Sequence, residues 1–196
     1  GLSKLPGRSK ESWFTFDHHY SDQAFPQAQE EVFKFKPKSM LDIGGNTGKW
    51  SFMCVENDPD VHMTIVDLPS QTGLANPRIK EAGLEHRIST HEQNVLDEDY
   101  ELPKNQDAVW MSQFLDCFSP EQIKHILKHA KDALSENGRV FILETFWDMQ
   151  ESMTATYCLH GTSLYFTAMS KGNSKMYDSA RMNQYVEEVG LEVEKL

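Results

Sequence analysis

Two stretches of this 196-residue chain carry residue types that could hold a nucleoside. The first is Met40-Leu41-Asp42-Ile43-Gly44-Gly45-Asn46-Thr47-Gly48, and the second is Thr64-Ile65-Val66-Asp67-Leu68-Pro69. Each begins as a short apolar run of the kind that forms a buried strand. The first run breaks into a glycine-rich turn that opens a helix, and the second ends in an acid. In a parallel sheet such a pair lies at the carboxyl edge, where nucleoside cofactors bind. Glycine lets the backbone approach a ligand where any side chain would collide. The carboxylate of Asp67, after the second strand, is placed to accept hydrogen bonds from both ribose hydroxyls.

Spacing narrows the nucleoside. A dinucleotide fingerprint needs G-x-G-x-x-G. Counted from Gly44, Asn46 and Lys49 stand where its second and third glycines belong, which weighs against a nicotinamide oxidoreductase. A phosphate-binding P-loop needs G-x-x-x-x-G-K-[ST], and here the Gly48-Lys49 pair comes too early and is followed by Trp50. The pattern that remains, D-x-G-x-x-x-G with an added Gly45, resembles motif I of the class I S-adenosylmethionine-dependent methyltransferases, usually D/E-x-G-x-G-x-G. Asn46 replaces the middle glycine, and Asn tolerates a positive φ better than most residues.

Length and composition set the outer limits. The chain suits one domain with a proper core, and 39% hydrophobic and 25% charged residues are ordinary for a globular protein. A net charge of −11 and a pI near 5.1 argue against a phosphate-backbone partner, so no nucleic acid is expected. No apolar run reaches the roughly 20 residues of a membrane span, and no signal-peptide pattern opens the chain, so no membrane partner is expected. Cys54, Cys117 and Cys158 are odd in number and lack a C-x-x-C, which fits reduced thiols in the cytoplasm. The His, Cys and Asp residues show no metal-ligand spacing, so no metal is expected.

These residues need elements to position them. Residues 1–20 read as a lead-in segment and 21–196 as a catalytic domain. A helix is expected over about 21–35, with Ser21 as its cap. Strand one follows at about 38–43, a helix at 47–57 and strand two at 61–66. A weaker strand covers Arg87–His91, and another Asp107–Met111. Ser119-Pro120-Glu121 opens a helix cleanly, with a capping hydroxyl, Pro at the first helical position and an acid in the first turn. Ile123, Ile126, Leu127, Ala130 and Leu134 give that helix an apolar stripe. Asn137-Gly138 turns the chain into a fifth strand, Arg139–Leu143. A Met- and aromatic-rich helical region spans about 149–170, and a last helix about 178–189. Strands and helices alternate throughout, so the expected class is α/β: Rossmann-like, doubly wound, with a mainly parallel sheet. Leu191–Leu196 alternates like a strand and then stops. The further strand of a class I methyltransferase sheet is missing, which points to a fragment of a longer protein.

A closer resemblance rests on Val66-Asp67-Leu68-Pro69, Leu134–Glu144 and Val189-Gly190-Leu191. These look like the catalytic domain of the O-methyltransferase family, which includes caffeic-acid and hydroxyindole O-methyltransferases and bacterial relatives. The segment Trp110–Phe118 stands where that family has its catalytic Leu-His-Asp-Trp. The resemblance implies transfer of a methyl group from S-adenosylmethionine to a hydroxyl of a small-molecule acceptor, with a protein that binds the cofactor without catalysis as the alternative. It implies a homodimer for the longer protein, because family members carry an N-terminal winged-helix-like dimerisation domain.

The same resemblance distributes roles. Gly44, Gly45, Asn46 and Gly48 line the methionyl and ribose portion of the cofactor, with Asp42 orienting the loop. Asp67 holds the ribose, and Leu68 packs on the adenine. Asn94 and Val95 fall at the adenine edge, where the family has an Asp and an apolar residue, and Ser112 falls on the cofactor side. Asp116 occupies the position of the family's catalytic His, and Glu144 matches a flanking Glu. A second family Glu is replaced near Met176. Gln113, Trp147 and His160 are the acceptor-side candidates, in a region that also holds Tyr157, Tyr165 and Phe166. His18 and His19, ahead of the first helix, could face the cofactor mouth, and exposed loop positions are the plainer reading for both.

Overall fold

The computed structural model describes residues 21, 23–169 and 173–195. Five strands form one sheet: β1 (Ser39–Ile43), β2 (His62–Asp67), β3 (Ile88–Glu92), β4 (Gln106–Ser112) and β5 (Leu134–Leu143). Their order is β3-β2-β1-β4-β5, and every neighbouring pair is parallel. The chain order reverses between β1 and β4, so the crevice outside their carboxyl ends is where a ligand fits.

Helices cover both faces, as an all-parallel sheet requires. They are α1 (residues 23–33), α2 (Lys49–Asn57), α3 (Pro69–Glu81), α4 (Pro120–Ala133), α5 (Met153–Met169) and α6 (Ser179–Glu188). The period of two along each strand divides the core. Leu41, Ile43, Val109 and Met111 pack on one side with Ile123, Ile126, Leu127, Met182 and Tyr185 of α4 and α6. Met40, Met63, Ile65 and Trp110 pack on the other with Phe25, Trp50, Cys54, Ala75 and Ile79 of α1, α2 and α3. No described side chain of α5 belongs to either cluster, and Met153, Tyr157 and Leu164 are 85%, 80% and 73% exposed.

The start of α4 follows the sequence rule closely. The Ser119 hydroxyl accepts from the Gln122 amide, and the Gln122 side chain accepts from the Ser119 amide, a reciprocal capping box. Ser119→Ala is expected to cost about 1 kcal/mol, read as a lower urea midpoint with an unchanged slope.

Three details depart from the sequence reading. Helix α3 has no counterpart there, because Gly73 and Pro77 interrupt its pattern and its only fully sheltered positions are Thr72, Ala75 and Ile79. Strand β5 begins at Leu134, five residues early: Leu134 pairs with Gln106 and Arg139 with Ala108, so the Asn137-Gly138 turn lies inside the strand as a bulge. Residues 191–195 are not a strand. Leu191 and Val193 alternate because they pack on the core while Glu192 and Glu194 are exposed, and Arg139 pairs with Glu194 at 3.1 Å. No helix among the described residues is long and apolar enough to cross a membrane.

Candidate active site

The glycine turn is shaped by its neighbours. Gly44 leaves β1 with φ +76°, and a Cβ there would lie 2.3 Å from the Phe114 ring. A Cβ on Gly45 would lie 2.6 Å from the Asp42 carboxyl carbon. Both places therefore exclude a side chain on steric grounds, and the positive φ of Gly44 adds a conformational one there. Asn46 takes the positive φ of 51° that its substitution for glycine demands. Gly48, at φ +84°, caps α2 from behind and does not line the cleft.

Asp42 lies beneath this turn, 3% exposed, on the α2 side of the sheet. The Ser51 hydroxyl donates to it at 2.7 Å. Burial pushes its carboxyl up to about 7, with the nearby Asp67 adding to the rise and the Ser51 bond opposing it. Asp67 ends β2 and accepts from the Asn46 amide at 2.9 Å and from the Leu68 amide at 2.7 Å. Burial raises its pKa too, against those two amides. Asp67 thus ties the end of β2 to the glycine turn and retains acceptor capacity for a ligand.

The cleft itself encloses about 470 Å³, part of it continuous with solvent. Asp42, Gly44, Gly45, Asn46, Ser112 and Gln113 line it, as do Ser21, Phe25, Thr47, Lys49, Trp50 and Trp110. Gln113 has φ 47°, so two of the strained non-glycine residues, Asn46 and Gln113, face this one cleft. Asn46 Oδ1, Thr47 Oγ1 and Trp110 Nε1 are buried there without a hydrogen-bond partner among the described residues. Buried polar atoms of this kind call for a polar ligand, and S-adenosylmethionine, with ribose hydroxyls, an ammonium and a carboxylate, fits.

Beyond Gln113 the chain makes a short turn, Leu115–Cys117. Glu144, just past β5, accepts from the Phe114 amide at 2.9 Å and the Leu115 amide at 2.7 Å. Its pKa is raised well above the usual carboxylate range by burial, with Asp116 as the second cause. The two carboxyls that the sequence singled out are therefore brought together. Phe114 and Phe118 pack edge to face across the turn, 4.9 Å apart. The Asp116 carbonyl accepts from the Lys175 amide at 2.9 Å, which ties the turn to the segment before α6.

The other candidates lie farther out. Leu68 is 44% exposed at the start of α3. Asn94 is occupied in a local turn, donating to Asp97 at 2.7 Å and accepting from the Leu96 amide, and Val95 is buried in the core. Trp147 and His160 do meet, with ring centroids 4.8 Å apart, but neither lines the cleft. The Met176 amide donates to Ser163 Oγ. His18 and His19 lie outside the described residues. Among the described residues, no group of three or more His, Cys, Asp or Glu is placed to hold a metal.

Sequence reasoning missed Ser21, Phe25, Lys49, Trp50 and Trp110 as cleft residues. The signal for Trp110 was the register of β4 on β1, which sets it opposite Asp42. Trp110 stacks on Trp50 with centroids 3.8 Å apart and planes 8° from parallel.

Comparison with known proteins finds methyltransferases. The chain is 24% identical over 185 residues to an L-tyrosine C(3)-methyltransferase of Streptomyces lavendulae, covering 94% of this chain and 50% of that protein. It is 33% identical over 115 residues to a 3-hydroxy-5-methyl-1-naphthoate 3-O-methyltransferase of Streptomyces sahachiroi, covering 59% of this chain and 33% of that protein. The chain thus spans half or less of the length of these relatives. Its fold matches the S-adenosylmethionine-dependent methyltransferase SibL with a TM-score of 0.77 at 27% identity, covering 96% of this chain and 54% of that one. The profile of the O-methyltransferase domain matches residues 21–190. With the class I fold, the glycine turn and the acid after β2 all in place, the chain belongs to the O-methyltransferase domain family, whose methyl donor is S-adenosylmethionine.

Proposed function

We propose that this protein transfers a methyl group from S-adenosylmethionine to a hydroxyl of a small aromatic acceptor. One observation carries the reading. Gln113 lines the cofactor cleft, and three residues on, Asp116 sits on a turn that Glu144 clamps by its backbone amides. Cofactor cleft and carboxyl pair thus share the carboxyl edge of β4 and β5.

The cofactor, when bound, supplies an electrophilic methyl group on a sulfonium. The chain's own residues do the rest. Asp67 accepts from the ribose hydroxyls, and Gly44 and Gly45 allow the close approach. Burial, and then the neighbouring Asp116, hold Glu144 above the usual carboxylate range, which favours its neutral form. Asp116 takes the proton from the acceptor hydroxyl. Phe114 and Phe118 keep water from the turn, and Glu144 acts as a positioning residue. Asn94 and Val95 are carried as the adenine-edge residues, and Trp147 and His160 as the acceptor-side residues, on the family resemblance alone.

A second reading has specific support. The tyrosine C(3)-methyltransferase relative aligns over 94% of this chain. Phenolate charge is shared with the ring carbon beside it, so the same deprotonation prepares that carbon for methylation, after which the ring proton leaves. The site of the new methyl in the product, read by NMR, separates the two.

Asp116→Asn is expected to lower kcat by about 10²–10⁴ while S-adenosylhomocysteine affinity stays within about twofold. The assay is transfer of labelled methyl to a panel of phenols. A protein that binds the cofactor and never passes on its methyl would support the non-catalytic alternative. The same proposal treats residues 21–196 as one catalytic domain after a lead-in of 1–20, which the family match over 21–190 supports. It extends to a homodimer of the longer protein, supported by the exposed Met153, Tyr157 and Leu164 of α5, and to a cytoplasmic setting, supported by an odd number of cysteines without a C-x-x-C.

A further inference from the structure

The turn that carries Asp116 is gripped from two sides. Its first half hangs from Glu144, through the Phe114 and Leu115 amides. Its second half hangs from the segment before α6. The Lys175 amide donates to the Asp116 carbonyl at 2.9 Å, and the Tyr177 hydroxyl donates to the Phe118 carbonyl at 2.8 Å. This second grip stands on the helices rather than on the sheet. Thr167 of α5 donates to the Ser174 carbonyl at 2.9 Å, and Ser163 accepts from the Met176 amide at 3.0 Å. Tyr177 itself is 4% exposed and directly precedes Asp178, whose side chain caps α6 by accepting from the Arg181 amide. Its ring meets Tyr185 edge to face with centroids 5.8 Å apart, and the Lys175 ammonium lies 4.8 Å from the ring centre. Burial lifts its phenol above the ordinary range, and Tyr185, Glu121 and Asp116 add to the rise, so the hydroxyl stays protonated as a donor.

We infer that Tyr177 is a positioning residue for methyl transfer: its hydroxyl fixes the Phe118 end of the turn, so that Asp116, between the two grips, meets the acceptor hydroxyl in one orientation. The inference rests on the reading of Asp116 as the base. A locked aromatic ring with one aimed O–H is a stiff tether, because it has few rotamers to lose. Without that bond the turn keeps its tie to Glu144 and is held less firmly beyond Asp116. A misplacement of about 1 Å at a reacting group costs as much as about a hundredfold in rate. Tyr177 does not line the cofactor cleft, so removing its hydroxyl leaves the surroundings of the cofactor in place.

The test is Tyr177→Phe, which keeps the ring and removes only the donor. Transfer of labelled methyl from S-adenosylmethionine to the phenol that the wild type uses best should fall about tenfold in kcat, with acceptor KM and S-adenosylhomocysteine affinity within about twofold. Amide hydrogen exchange, read by NMR, should quicken about tenfold at Cys117 and Phe118, whose amides close the turn on the Phe114 and Leu115 carbonyls. It should stay unchanged at Phe114 and Leu115, which Glu144 holds. In an Asp116→Asn background, Tyr177→Phe should cost nothing further, because a residue that acts through Asp116 then has nothing left to aim. A wild-type kcat in Tyr177→Phe, or unaltered exchange at Cys117 and Phe118, would overturn the assignment. A loss that adds in full to that of Asp116→Asn would make Tyr177 a general support of the fold and overturn it as well. A wild type that methylates no phenol, or full turnover in Asp116→Asn alone, would instead bring down the reading of Asp116 as the base, and the inference with it.

Discussion

Asp67→Ala is expected to weaken S-adenosylhomocysteine binding by about a hundredfold or more. Each hydrogen bond from a ribose hydroxyl to a carboxylate is worth about 1.5–3 kcal/mol, and about 1.4 kcal/mol is tenfold in affinity. The alanine also removes the acceptor of the Asn46 and Leu68 amides, so the turn itself loses its tie to β2. Asp67→Asn separates the two effects. It keeps one side-chain oxygen for the turn and gives up the charge, so its affinity should fall between wild type and alanine. Calorimetry on both variants is the check, and a wild-type affinity in Asp67→Ala would mean that the ribose is held elsewhere.

Asp42→Asn should stabilise the folded protein, and only at higher pH. The Asp42 carboxyl titrates near 7 when folded against 3.8 as a free group. Below pH ~4 it is protonated in both states, and its titration has no effect on stability. Between pH ~4 and ~7 the folded state alone keeps the proton, so stability falls as pH rises, and above pH ~7 the full penalty remains. That penalty is on the order of 4 kcal/mol at most. Asparagine keeps a polar group beside Ser51 and never ionises. Urea midpoints of the two proteins should agree near pH 4 and separate by pH 8.5, with the variant higher. Parallel midpoints across that range would refute the assignment of the buried charge.

Much of this was legible in the chain because it is local. Strands β1, β2 and β4 are apolar runs that end in turn residues, and Ser119-Pro120 announces α4 by rules that reach only three residues ahead. Asp42, Gly44, Gly45 and Asn46 are consecutive or nearly so, and their joint role follows from one turn. The pairing of Asp116 with Glu144 spans 28 positions and came from a family pattern. Where pattern and geometry parted, the cause was tertiary. Helix α3 carries Gly73 and Pro77 because packing of Thr72, Ala75 and Ile79 on the sheet compensates their poor propensity. The alternation in 191–195 reports one side facing the core, which a strand shares with any extended segment. Lys49, Trp110, Ser21 and Phe25 reach one place from separate segments, and only the register of β4 on β1 brings Trp110 there.

The isolation of α5 from both core clusters has an evolutionary consequence. The proton-handling turn takes its position from the sheet, through Glu144 and the bond from the Gln113 amide to the Leu143 carbonyl. Helix α5 takes little from the sheet and adds no side chain to the packing that holds it. Substitutions at the exposed Met153, Tyr157 and Leu164 should therefore cost little folding free energy, whereas Ser163 and Thr167 hold the segment 174–176 whose Lys175 amide fixes the Asp116 carbonyl. One helix thus carries both freely variable positions and positions tied to the turn, and the two sets alternate along it.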